Sequence, residues 1–139
     1  MTEERVLPDA NEVEYVSLDE ALVLYAEIRG LTLEAVAAEI RDISLLDSAL
    51  TRPIHAAHYA AADLAEQAAT LVWGIAQNQP FLDGNKRVAL VVTLTFLEVN
   101  GLRLEMSDDE KVQLMTDIAG GNTVAQVTAL FRLRLRPLA

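Results

Sequence analysis

An all-α, single-domain fold is what this 139-residue sequence predicts, and three observations predict it. Hydrophobic residues make up 52% of the chain but aromatics only 5%, so the core must come from Ala, Leu, Val and Ile, and Ala and Leu are strong helix formers. Apolar residues recur at helical spacing in successive windows. Those windows open on capping residues and close on glycine or asparagine. The length suits one core that needs no staples.

Residues 1–15 read as an N-terminal arm, with a short extended piece at Val13–Val16, ahead of a domain over 16–136. Ser17-Leu18-Asp19-Glu20 has the form of a capping box, and Leu18, Ala21, Leu22, Tyr25 and Ile28 follow on one helical face, with Gly30 as a stop. Leu33, Val36, Ala37 and Ile40 fit a further helical face. Asp42 or Ser44 can cap a short helix through Leu50, which Pro53 is expected to end because proline disfavours helical geometry in the residue before it. Arg52 to Ala61 shows no period and reads as an extended excursion.

A helix is predicted from about Asp63 to Ala76, with Leu64, Ala68, Leu71, Val72 and Ile75 on one face. Asn78 to Gly84 reads as a loop. The next helix, Asn85 to Val99, is apolar almost all round and is expected to be the buried central element of the bundle. Asn100-Gly101 is a left-handed stop signal. Ser107-Asp108-Asp109-Glu110 forms a second capping box for a helix to about Ala119, and after Gly120-Gly121-Asn122 a last helix spans Thr123 to Arg134.

A formal net charge of −10 opposes direct nucleic-acid binding, which requires lysine and arginine to neutralise phosphates. Arg132, Arg134 and Arg136 alternate with leucines, and they read as a solvated or dipole-complementing helix end in preference to a polyanion site. With no cysteine there is neither a disulfide framework nor a thiolate metal site, which suits a reducing compartment. The acidic, polar N-terminus is unlike a secretory signal, and the apolar stretch Val88–Val99 is too short to cross a bilayer. A cytoplasmic protein without a membrane partner is expected.

The segment with chemical content is Asn78-Gln79-Pro80-Phe81-Leu82-Asp83-Gly84-Asn85-Lys86-Arg87. Here one helix ends and another begins. The first N–H groups of a helix lack intrahelical partners and carry partial positive charge, a natural site for an anion. Lys86 and Arg87 stand in that first turn, where the dipole disfavours cations, an arrangement that makes sense if a phosphate sits between them. Asp83 is a hard oxygen ligand suited to magnesium beside phosphates. Gly84 lets the backbone approach a ligand, and Phe81 anchors the loop in the core. An ordinary loop, with Asp83 capping the helix and two solvated cations, accounts for the same residues equally well.

The segment resembles the Fic/Doc signature His-Pro-Phe-x-Asp-Gly-Asn-Lys/Gly-Arg at every fixed position but the first, where Gln79 replaces the histidine. Leu46-Asp47-Ser48-Ala49-Leu50-Thr51-Arg52-Pro53, Ala89-Leu90 and Phe96-Leu97-Glu98-Val99-Asn100-Gly101 extend the resemblance, which covers roughly residues 15 to 135. Lys86 and the short length favour the Doc (death-on-curing) branch.

The resemblance implies an all-α toxin of a toxin–antitoxin pair. Such a toxin transfers phosphate from a nucleoside triphosphate such as ATP to a hydroxyl of a target protein, with elongation factor Tu the best-known target, and a cognate antitoxin is its partner. By position, Asp83 would bind Mg²⁺, and Gly84, Asn85 and Lys86 would cradle phosphates. Arg87 would pair with a phosphate, and Arg52 to Ala61 would be a flap that docks the target.

The family histidine is the general base, and the neutral Gln79 amide cannot take a proton near pH 7. Three explanations stay open: a deliberately disabled toxin, a natural pseudoenzyme that binds without turnover, and an active variant using another base. For the last, His55 and His58 are the only histidines in the chain. Nucleotidyl transfer is the rival chemistry, and a non-catalytic binding module the rival class.

Overall fold

The structure, a computed structural model, describes residues 12–139; residues 1–11 of the expected N-terminal arm lie outside the described residues. Among the described residues the chain folds into α1 (Leu18–Arg29), α2 (Leu33–Val36) continued by a 3-10 turn (Ala37–Glu39), α3 (Ile43–Ala60), α4 (Leu64–Asn78), α5 (Asn85–Val99), β1 (Leu102–Leu104), α6 (Asp108–Ala119), α7 (Val124–Arg134) and β2 (Leu135–Pro137). The all-α prediction holds, with the two short strands as its sole sheet among the described residues.

Both predicted capping boxes form: Ser17 with Glu20 on α1 and Ser107 with Glu110 on α6. Thr123 and Gln126 form a further one on α7, which the sequence reading did not single out. Asp63 caps α4, and its side chain accepts from the Glu66 N–H. Gly30 ends α1 in the left-handed conformation. After α5 the left-handed residue is Gly101. Ahead of α1, residues 13–16 belong to no strand, and the Asn100 side chain pins this segment by bonding both the N–H and the C=O of Glu14.

Three expectations are corrected. Pro53 does not end its helix: α3 runs on to Ala60, with Ala61 as its left-handed cap, so Arg52 to Ala60 is helix and not an extended excursion. The reason is tertiary. Leu46, Ala49, Leu50 and Pro53 form the buried stripe of α3, and Ala49 sits so close to α4 that a Cβ built on Gly74 would lie 3.4 Å from its own. Packing of that stripe outweighs the local cost of proline.

The central helix is α4 and not α5. It packs against α3, α5, α6 and α7, with Ala65, Ala68, Ala69 and Gly74 letting its neighbours approach closely. The α5 helix buries one face through Val88, Ala89, Val92, Phe96 and Leu97 and leaves Val99 half exposed. In the third correction, the helical face expected around Leu33 to Ile40 is a single turn plus a 3-10 turn, in which Val36 is buried and Leu33 is 57% exposed.

The C-terminal arginines have partners. β2 pairs antiparallel with β1, which brings Arg136 against Glu105 at 3.3 Å. Arg132 reaches Asp63 at 3.1 Å, and Arg134 pairs with Glu110. Bonding to Arg134, with help from the Ser107 N–H, draws the Glu110 carboxyl down from 4.5 to about 2. No helix among the described residues is long and apolar enough to cross a membrane.

Candidate functional site

The loop between α4 and α5 hangs from the end of one helix and feeds the start of the next. Its first residue, Gln79, ends α4 in the left-handed conformation (φ 47°, ψ 62°), with its N–H on the Ile75 carbonyl. Pro80 and Phe81 then turn inward. Phe81 is 1% exposed and lies flat against Tyr25 of α1, ring centroids 3.7 Å apart. This is the anchor that the sequence suggests.

The strap after the 3-10 turn holds the loop from one side: Arg41 and Asp42 N–H groups donate to the Pro80 carbonyl, and the Leu82 N–H donates to the Glu39 carbonyl. The Asn85 side chain holds it from the other, accepting from the Phe81 N–H at 2.9 Å and donating to the Phe81 carbonyl at 2.8 Å. That amide is engaged by the loop itself, so Asn85 faces an anion chiefly through its backbone.

The turn into α5 is supported from below by α1. The Tyr25 hydroxyl donates to the Asp83 carbonyl at 2.8 Å and accepts from Arg29 at 2.8 Å. Burial raises the Tyr25 pKa, which keeps this hydroxyl a donor. Arg29 also approaches the Asp83 carboxylate at 3.7 Å and Glu39 at 3.6 Å. Gly84 takes φ +81° directly over these two side chains, and a Cβ there would meet Arg29 at 3.3 Å and Tyr25 at 3.4 Å. Both the backbone conformation and the close approach call for glycine.

The cap of α5 bears on the two readings of this loop. No side chain caps its N-terminus. Asp83 bonds instead to the N–H of the capping residue Gly84 itself, at 2.8 Å, so the first-turn N–H groups of α5 are left pointing outward. Lys86 and Arg87 are exposed, and neither makes an ion pair among the described residues. An uncapped helix start carrying two cations without ion-pair partners has the electrostatics that favour an anion.

These groups open on a cleft of about 520 Å³. Gln79, Asp83, Gly84, Asn85, Lys86 and Arg87 all line it; Phe81 lies beneath. Ala76 and Gln77 of α4, with Met115 and Ala119 of α6, complete the walls. Gln77 ties α4 to α6 through the Ile118 carbonyl at 3.1 Å.

His55 and His58 sit on the second half of α3 and do not line the cleft. His55 lies edge-on to the exposed Tyr59. Arg52 lies over Trp73, 5.8 Å from its ring centroid.

A divalent ion would find one carboxylate here. The Asp83 side chain is 81% exposed at the cleft, and the described residues hold no group of three or more acidic, His or Cys side chains placed to hold a metal ion. A single carboxylate fits magnesium, which keeps its waters and takes phosphate oxygens as further ligands. Sequence reasoning missed Tyr25, Arg29 and Arg41, which support the loop from 37 to 58 positions away. Only Tyr25 carried a signal, and it was that of a core residue.

Residues 15–97 match the model of the Fic/DOC family. A protein of Mycolicibacterium smegmatis named Toxin Doc is 36% identical over 85 residues, an alignment that covers 58% of this chain. It spans 65% of that relative's length, just under two thirds.

Proposed function

This chain belongs to the Fic/DOC family, and on that premise we propose that it is a Doc-like toxin whose cleft binds a magnesium nucleoside triphosphate for phosphate transfer to a hydroxyl of a target protein. A translation factor such as elongation factor Tu is the target class, and a cognate antitoxin is the partner. The observation that carries the reading is the uncapped start of α5 with Lys86 and Arg87 unpaired beside it, in one cleft with Asp83 and residue 79.

Each group has a task under this reading. The first-turn N–H groups of α5 and the Lys86 ammonium hold phosphate oxygens, and the Arg87 guanidinium pairs with a phosphate as a planar fork. Asp83 would hold magnesium, which when bound neutralises charge on the transferring phosphoryl group. Tyr25 and Phe81 keep the turn in place. The target hydroxyl attacks the terminal phosphorus as that atom's bond to the bridging oxygen breaks and nucleoside diphosphate leaves; the hydroxyl must lose its proton, and residue 79 lines the cleft where that proton has to be accepted. The Gln79 amide cannot accept it, so the chain as it stands binds but turns over poorly, by about 10²–10⁴-fold for a missing general base. Neither histidine substitutes, because both stand on α3 outside the cleft.

An apolar groove of about 330 Å³ between α1 and α5, lined by Val23, Leu24 and Thr95 and edged by Asp19 and Glu20, supports a partner segment docking away from the cleft. The test is Gln79→His with ATP and candidate translation factors, read by mass spectrometry and by growth on expression. Phosphate added to a target and arrested growth are expected. A nucleotidyl adduct would move the reading to adenylyl-type transfer. No adduct and normal growth would leave a non-catalytic binding module.

A further inference from the structure

Arg41 stands outside the cleft, yet it reaches three consecutive carbonyls at the cleft's edge. Its Nε donates to the Gln79 carbonyl at 2.8 Å, its Nη2 to the Asn78 carbonyl at 2.7 Å, and its own N–H to the Pro80 carbonyl at 2.7 Å. The residue in the middle of this grip is the one with unusual backbone. Gln79 is one of two non-glycine residues with positive φ among the described residues. Such a conformation is strained for a residue with a side chain and persists where its surroundings over-determine it.

We propose that Arg41 is a positioning residue for position 79: its guanidinium fork fixes the Gln79 peptide, and with it the direction in which the side chain at 79 enters the cleft. This rests on the reading of residue 79 as the place of the base. The alternative role for Arg41 is a charge that complements the C-terminal dipole of α4, which any cation supplies. Geometry separates the two. Two guanidinium nitrogens lie in one plane at fixed spacing and can hold two successive carbonyls together, whereas a lysine ammonium supplies the charge without the fork.

The grip also belongs to one end of the loop only. Tyr25 and Arg29 hold the turn at Asp83 and Gly84 and make no hydrogen bond to residues 78–80, so the orientation of residue 79 and the anion-holding turn are set by different parts of the chain.

Arg41→Ala and Arg41→Lys, each in the present chain and in the Gln79→His background, test this. Amide hydrogen exchange at residue 79 should quicken about tenfold or more in both variants, the loss expected for charge-assisted hydrogen bonds. Magnesium–ATP affinity, measured by calorimetry in the present chain, should stay within about threefold because the anion-holding turn is anchored elsewhere. In the Gln79→His background both substitutions should lower kcat on the order of 10²-fold, with the KM for ATP within about threefold, as misplacement of a reacting group does. Exchange at residue 79 that is unchanged in Arg41→Ala, or restored by Arg41→Lys, would overturn the proposal in favour of a simple helix cap. If Gln79→His transfers nothing, the functional reading fails by itself, and the exchange measurement still decides the role of Arg41.

Discussion

Two groups of basic residues in this chain have opposite fates. Arg132, Arg134 and Arg136 end α7 and enter β2, and each is met by a carboxylate: Asp63, Glu110 and Glu105 respectively. Lys86 and Arg87 open α5, where the helix dipole works against them, and among the described residues no carboxylate pairs with either. The first group is placed where electrostatics favour it and is used up in holding the fold. The second is placed where electrostatics disfavour it and is left free. In a chain of net charge −10, two cations without a carboxylate partner among the described residues are what the proposed anion site requires.

The comparison breaks most readily at the second group. Lys86→Ala combined with Arg87→Ala should weaken magnesium–ATP binding on the order of 10²-fold or more, since hydrogen bonds to charged groups contribute about 1.5–3 kcal/mol each. Arg132→Ala combined with Arg136→Ala should change it less than about twofold. Calorimetric titration of both pairs decides, and equal losses would erase the distinction.

Gly84→Ala sharpens it from the backbone side. The left-handed φ and the contacts with Arg29 and Tyr25 predict a loss of about 1–2 kcal/mol in denaturant unfolding. That loss should come with weakened ATP binding and unchanged amide exchange at Gln79.

Acid distinguishes the first group. The Glu110 carboxyl is depressed in the folded state, so its contribution is full above its ordinary 4.5 and is lost as pH falls towards about 2. A Glu110→Gln variant should therefore melt below the parent at pH 7, with the gap closing near pH 2. A gap that is constant with pH would mean that Arg134 does not hold this carboxylate.

The smallest effect is on the stability of the second group itself. Lys86→Ala, by removing a cation from a helix N-terminus, should raise stability by about 0.3–1 kcal/mol while it weakens binding. A drop in melting temperature would show that Lys86 serves the fold.

Much of this was legible in the sequence because it is local. The loop residues that line the cleft all fall within the one segment from Gln79 to Arg87, and caps such as Ser17 with Glu20 depend on neighbours three positions apart. The bounds of α5 follow from Gly84 and Asn100 in the same way. What failed is non-local. Pro53 was read by its local preference, but it is buried within α3 against α4. The apolar surface of α5 suggested the centre of the bundle, whereas the small residues of α4 take that place because they allow four helices to close in. The pairing of Arg136 with Glu105 depends on a ribbon joining residues 102–104 to 135–137, which no pattern in either segment announces. Arg41 resembles any surface arginine until the fold lays its strap beside residues 78–80.

The central claim is that the cleft is complete for holding a magnesium nucleotide and incomplete only at residue 79. Binding and turnover of the present chain and of Gln79→His, measured side by side with magnesium–ATP and a translation-factor target, test it most directly. The account predicts affinities within about threefold of each other and transfer at least 10²-fold faster in the histidine variant, the expected contribution of a general base. No measurable nucleotide binding by either protein would contradict it.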